Sequence, residues 1–170
     1  IALAEHFGRR LLSATDANQK TTPLSRFITE MNRSAKDQQM HNTHFKNPHG
    51  LTEKGHLSTA HDLLKLAHTV MKLPEFRKRV ASRQRGSTVT GPGGYHRNML
   101  WKNTNRLLAI DGYQGVKTGT TNAAGACLVS MGQRGSDAMF VVVLGSSSSA
   151  ARYTDTRNLF RWAWQQHIHP

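Results

Sequence analysis

Apolar residues recur at Ile1, Leu3, Ala4, Phe7 and Leu11. Steps of three and four residues describe one face of a helix, so the chain is expected to open in one. Ser13 to Thr22 is polar and runs into Pro23, which reads as a loop. Leu24, Phe27, Ile28, Met31 and Ala35 repeat the helical spacing and predict a second helix. No such period crosses residues 40–57, where Asn47-Pro48-His49-Gly50 marks a turn. Thr59 followed by Asp62 is a capping-box-like start to a third helix through Leu63, Leu64, Leu66, Ala67, Val70 and Met71. Pro74 can open a short helix to about Val80, because a first-turn N–H needs no intrahelical partner.

Beyond residue 85 the texture changes. Gly86 to Gly94 reads as a strand entering a Gly-Pro-Gly-Gly turn, and Gly115 to Thr118, Ala124 to Met131 and Ala138 to Leu144 as further strands. Met139 to Leu144 is wholly apolar, the pattern of a central strand covered on both faces. Leu159, Phe160, Trp162 and Ala163 supply the apolar face of a closing helix. Helices, then an antiparallel meander, then a helix make an α+β arrangement with the last helix packed on the sheet. Residues 1–85 are expected to be mainly helical and 86–170 sheet plus closing helix. No linker is rich enough to divide the 170 residues into two domains.

Twenty-three Lys and Arg against ten Asp and Glu give a net charge of +13. That balance suits polyanions: nucleic acid, an anionic membrane, or an acidic cell-wall polymer. No aromatic-basic nucleic-acid module accompanies it, so no specific nucleic-acid partner is expected. The single Cys127 excludes an intrachain disulfide and a Cys-based zinc site, and its apolar neighbours predict a buried, inert thiol. No apolar run reaches the roughly 20 residues of a membrane span. Ile1 to Arg10 lacks the plan of a signal peptide and has the character of mid-helix, which reads as a truncation.

The chemistry concentrates in Gly115-Val116-Lys117-Thr118-Gly119-Thr120-Thr121. Gly119 lets another backbone approach the strand edge, and the Lys117 ammonium with the Thr118 and Thr120 hydroxyls suits a carboxylate. Lys-Thr-Gly is one of three motifs of penicillin-recognising serine enzymes, beside Ser-x-x-Lys and Ser-x-Asn. On three residues alone a β-turn carrying a solvated lysine is the better reading.

The context reverses that balance. Asn42-Thr43-His44-Phe45, Asn47-Pro48-His49-Gly50-Leu51, Ser58-Thr59-Ala60-His61-Asp62-Leu63 and Asn103-Thr104-Asn105-Arg106-Leu107-Leu108 precede the motif, and Ala123-Ala124-Gly125 and Ala151-Arg152-Tyr153 follow it. In this order they resemble the D-alanyl-D-alanine carboxypeptidases, the low-molecular-mass penicillin-binding proteins, from Ile1 to about Trp164. The resemblance implies part of a β-lactamase/transpeptidase-like fold and an extracytoplasmic serine peptidase without cofactor or metal. It would trim the terminal D-alanine from peptidoglycan stem peptides through an acyl-enzyme that β-lactams trap. By the same resemblance Lys117 and Thr120 are catalytic, with the Thr120 N–H an oxyanion donor. Thr118, Gly119 and Arg152 bind substrate, Arg152 assisting at the terminal carboxylate. On its own terms Arg152 is equally a helix-surface arginine.

Neither Ser-x-x-Lys nor Ser-x-Asn occurs among the 170 residues. In the family the counterpart of Ile1 to His6 directly follows Ser-x-Asn, so these residues are expected to be the C-terminal part of the catalytic domain, inactive alone. Arg9 to Pro23 is longer than the usual family connection. A β-lactamase-like hydrolase and a non-catalytic basic cell-wall module are the alternatives. His41, His44, His49, His56 and His61 lack metal-ligand spacing and read as turn or surface residues, and His167 and His169 as a solvated tail. Trp101, Trp162 and Trp164 read as core or helix-packing residues.

Overall fold

The computed structural model describes residues 1–11 and 21–168. The expected loop therefore lies, over residues 13–20, outside the described residues, as do His169 and the side chain of His167. The chain forms two compact units, Ile1–Leu66 with Thr121–Ala123, and Ala67–Thr120 with Ala124–Pro170.

In the first unit α1 (Ala2–Arg10) packs on α2 (Pro23–Asp37). Thr22 caps α2 by accepting the Ser25 N–H at 3.1 Å, and Pro23 occupies the first turn. Of the apolar face read from the sequence, the contact between the two helices uses Ala4 alone. Ile1, Leu3, Phe7 and Leu11 are exposed, whereas Ala4 and Gly8 are buried. The reason is distance: a Cβ on Gly8 would stand 1.8 Å from the Pro23 carbonyl oxygen, so only the small residues permit the approach. Arg26 locks it, its Nε donating to the Gly8 carbonyl at 2.9 Å and its Nη1 to that of Thr21 at 2.7 Å.

The irregular segment after α2 is held by side chains. Asn32 gives its amide to the Phe45 carbonyl and takes the Phe45 N–H, both at 2.8 Å. Asn47 accepts the Gly50 N–H at 2.9 Å and donates to the Leu51 carbonyl at 3.0 Å, closing the expected turn with Gly50 at φ 78°. Thr59 takes the Asp62 N–H at 3.2 Å and starts α3 (Ala60–Val70). Asp62 does not complete a capping box: its carboxylate, 1% exposed, accepts the Asn42 N–H and the Thr43 hydroxyl, each at 2.8 Å. Burial pushes its pKa up, but those two hydrogen bonds, with Lys65 and His61 nearby, outweigh it and hold the group below its ordinary 3.8.

The second unit contains α4 (Pro74–Ala81) and two sheets. In the first, β1 (Gln84–Thr90) pairs antiparallel with β2 (His96–Lys102) around a turn at Gly93 and Gly94. Nothing in the sequence reading anticipated β2. Six of its seven residues are exposed, so no buried face imprints an alternation on them. In the second sheet the order is β3 (Tyr113–Thr121), β4 (Gly125–Arg134), β5 (Asp137–Ser146), and α5 (Ser149–Ile168) packs on β4 and β5. Among the described residues β4 is the central strand of this sheet. Met139 to Leu144, expected to be central, belong to β5, which there pairs with β4 alone and leaves Leu144 exposed.

Val141, Val143, Phe160 and Trp164 form one core cluster and Leu107, Leu128 and Tyr153 another, with Tyr113 packed against both. Phe160 stacks on Trp164 at 5.0 Å, and the Arg134 guanidinium lies 3.8 Å over the Trp164 ring. Only this tryptophan is buried. Trp101 and Trp162 are exposed, against expectation. Cys127 is half-buried, its thiol 3.5 Å from the Ala124 carbonyl, rather than enclosed.

Candidate active site

Lys117 to Thr120 lie on β3, an edge of the three-stranded sheet among the described residues. Three anchors fix the segment. The Gly115 carbonyl, two residues before Lys117, accepts Asn105 Nδ2 and Ser130 Oγ, each at 3.0 Å and both buried. Gly115 must be glycine, since its φ is 125° and a Cβ there would meet Val80 Cγ2 at 2.8 Å. The Thr118 hydroxyl, 7% exposed, lies 2.6 Å from that of Thr104. The Thr104 carbonyl in turn accepts the Tyr153 hydroxyl of α5 at 2.9 Å.

The third anchor is Arg152. Its Nη1 donates to the Gly119 carbonyl at 3.1 Å, the Thr120 hydroxyl at 2.9 Å and, at 3.4 Å, the Cys127 carbonyl. Nη2 reaches the Ser149 hydroxyl at 3.0 Å. Only 6% of the residue is exposed, which rules out the helix-surface reading. No carboxylate among the described residues pairs with it, and its Nε finds no acceptor. The guanidinium is thus held by neutral hydrogen-bond acceptors and by the Tyr153 ring, 5.0 Å away, although desolvating a cation is costly.

The sequence-derived residues thus come together, with different exposures. Lys117, Gly119 and Thr120 are open to solvent. Lys117 turns its ammonium to the Thr118 carbonyl. Thr118 faces inward and braces the strand. Sequence reasoning missed the frame: Asn103, Thr104, Asn105, Ser130 and Tyr153. Asn103 ties the frame to the end of α4, donating to the Val80 and Ser82 carbonyls at 3.2 and 3.1 Å. Asn105 also takes the Leu107 N–H at 3.1 Å. Asn-x-Asn ahead of an apolar pair was the available signal, since two amides so spaced can accept from the backbone of the turn they begin. Among the described residues no three His, Cys, Asp or Glu side chains converge as a metal site would require. His49 and His56 accept the N–H groups of Leu51 and Lys46 in their own loop.

Comparison with known proteins adds to this geometry. The family model for D-alanyl-D-alanine carboxypeptidase matches residues 17–148. The D-alanyl-D-alanine carboxypeptidase of Streptomyces sp. (strain K15) is 34% identical over 165 residues, covering 96% of this chain and 54% of that relative. DacF of Bacillus subtilis (strain 168), also a D-alanyl-D-alanine carboxypeptidase, is 34% identical over 149 residues, 85% of this chain and 36% of the relative. A D-alanyl-D-alanine endopeptidase of Escherichia coli (strain K12) is 33% identical over 138 residues, 80% of this chain and 43% of the relative. The crystal structure of the Streptomyces K15 DD-transpeptidase superposes with a TM-score of 0.85 at 34% identity, over 96% of this chain and 61% of that one. The chain therefore spans only part of the length of the proteins it matches.

Proposed function

From the premise that this chain belongs to the D-alanyl-D-alanine carboxypeptidase family, we propose that it forms the carboxylate-binding and oxyanion edge of a serine acyl-transfer site for peptidoglycan stem peptides. The substrate is a peptide ending in D-Ala-D-Ala, laid along the β3 edge. A serine outside residues 1–170 attacks the penultimate carbonyl, the peptide C–N bond breaks, and the terminal D-alanine leaves. Water then hydrolyses the ester. β-Lactams would acylate the same serine, and the site would work outside the cytoplasm.

The observation that carries this reading is Arg152, buried beside Thr120 with no counter-ion among the described residues. The terminal carboxylate of the substrate supplies the missing charge, with the Thr120 hydroxyl as second donor. The Thr120 N–H would face the developing oxyanion, a role that needs a strand fixed in advance. Lys117 would bind and polarise at the same edge. Thr118 and Gly119 would serve it less directly, Thr118 by holding the strand to Thr104 and Gly119 by leaving room for the incoming backbone.

Arg152→Lys in the intact protein tests this. One nitrogen cannot span the acceptors that Nη1 and Nη2 reach now. Losing a charge-assisted pair of about 1.5–3 kcal/mol should lower kcat/KM for a D-Ala-D-Ala peptide roughly 10- to 150-fold. Turnover of the same peptide with an amidated C-terminus should hardly change. Equal losses on both peptides would mean that Arg152 does not read the carboxylate. A peptide of residues 1–170 alone should take up no fluorescent penicillin.

A further inference from the structure

A second groove lies within the second unit, and neither Lys117 nor Arg152 lines it. The exposed side of α4 and the open ends of β1 and β2 enclose a groove of about 520 Å³. Four cations line it, Lys78 and Arg79 from the helix and Arg85 and Lys102 from the strands, against one carboxylate, Glu75. Glu75 stands 3.7 Å from Arg79, so it is matched within the groove and leaves three positive charges unanswered.

Among these cations stands Trp101, 56% exposed and the cross-strand partner of Arg85. Its indole N–H donates to the Ser87 hydroxyl at 2.9 Å, which sets the ring's orientation and spends its only polar group on the protein. What remains outward is a flat aromatic face.

We propose that this groove binds an anionic glycan whose repeating units are joined by phosphodiesters, the chemistry of teichoic-acid-type wall polymers. Each part of the groove has a counterpart there. The apolar face of a sugar ring stacks on the indole. The phosphodiester takes the Arg85 guanidinium and the Lys102 ammonium, the donor types that suit phosphate. The amide of Gln84 meets sugar hydroxyls. Nucleic acid is the weaker fit, because sequence-tolerant strand binding threads successive bases over several aromatics, and this groove offers one. A membrane surface is weaker still, since Trp101 is the one apolar side chain in the lining of the concave groove. The preference for a wall polymer over nucleic acid rests in part on the extracytoplasmic reading above; the charge and the ring do not.

Binding is measured without catalysis, so its failure and the failure of the peptidase reading are separate results. The intact protein is titrated with purified polyribitol phosphate, followed by calorimetry and tryptophan emission, at 50 and 200 mM salt. Parallel titrations use a single-stranded oligonucleotide and phosphatidylglycerol vesicles. Affinity for polyribitol phosphate should fall steeply with salt, as neutralised charges release counter-ions. Arg85→Ser with Lys102→Ser should weaken it at least tenfold and flatten the salt dependence. Trp101→Ala should weaken it while leaving that dependence unchanged. All three positions are exposed, and an unchanged thermal midpoint confirms that the variants fold. Unaltered affinity in both variants overturns the proposal, as does tighter, groove-dependent binding of the oligonucleotide or the vesicles.

Discussion

Asn105 holds the β3 edge by two bonds that cannot both survive any substitution, which makes its removal a quantitative test of how the site is framed. The residue is 4% exposed; Nδ2 donates to the Gly115 carbonyl at 3.0 Å and Oδ1 accepts the Leu107 N–H at 3.1 Å. In Asn105→Ala the Gly115 carbonyl keeps Ser130 Oγ, but the Leu107 N–H is left in a buried turn without that partner. Two lost bonds at about 1 kcal/mol each, plus about 1 kcal/mol or more for the stranded donor, amount to roughly 3 kcal/mol. For a chain of this size that lowers the thermal midpoint by roughly 6–12 °C. Asn105→Asp keeps the shape and the acceptor for Leu107 but sets a carboxylate oxygen against the Gly115 carbonyl, so it should be worse than alanine at neutral pH. Urea and thermal unfolding of the three proteins decide the matter. If Asn105→Asp proves as stable as wild type, or Asn105→Ala costs less than about 1 kcal/mol, the two bonds do not carry the frame. Ser130→Ala combined with Asn105→Ala should cost more than the sum of the single changes, because only then does the Gly115 carbonyl lose both donors.

Gly8→Ala should destabilise by about 1–3 kcal/mol in thermal unfolding despite alanine's better helix propensity, because its methyl would collide with the Pro23 carbonyl. Asp62 has a lowered folded pKa, so its stabilisation is present above the ordinary value of 3.8 and is lost as pH falls through the folded value. The stability gap between wild type and Asp62→Asn should therefore be widest above that pH and close in acid, read by urea unfolding from pH 7 to 3. For His56, burial lowers the pKa below 6.5, aided by His49 and His44 and opposed by Glu53, while its Nδ1 accepts the Lys46 N–H. Its neutral form is the stabilising one. Stability should be full above 6.5 and fall as the imidazole charges at lower pH, a slope that His56→Gln should reduce.

Helices α2, α3 and α5 and the strands β3, β4 and β5 were legible because each buries a face and burial imprints a period, whereas α4 and β1, with no buried residue, were read from Pro74 and from the Gly-Pro-Gly-Gly turn. The misses follow from the same cause. β2 buries almost nothing and shows no alternation. α1 is helical as read but makes its contact through Ala4 and Gly8, where steric fit outranks apolar character. In the site, Lys117, Thr118, Gly119, Thr120 and Arg152 could be named because their types match a motif. Thr118 facing Thr104 and Asn105 holding Gly115 depend on contacts between segments 10 to 14 residues apart, which no local pattern encodes. The exposure of Trp101 escaped for a related reason, since tryptophan is usually well covered and its type argues for the interior.

Under the proposed function Arg152 would also tie occupancy to folding. It sits in the first turn of α5, where the helix dipole already disfavours a cation by about 0.3–1 kcal/mol. Among the described residues no carboxylate offsets that load, and under the proposed function an entering carboxylate would lighten it. Mass action turns this into a measurable coupling: an anion at one hundred times its Kd should raise the folding free energy by about 2.7 kcal/mol. A carboxylate ligand would then announce itself by a higher melting temperature with no serine and no turnover, and the protein would be at its most stable only while engaged.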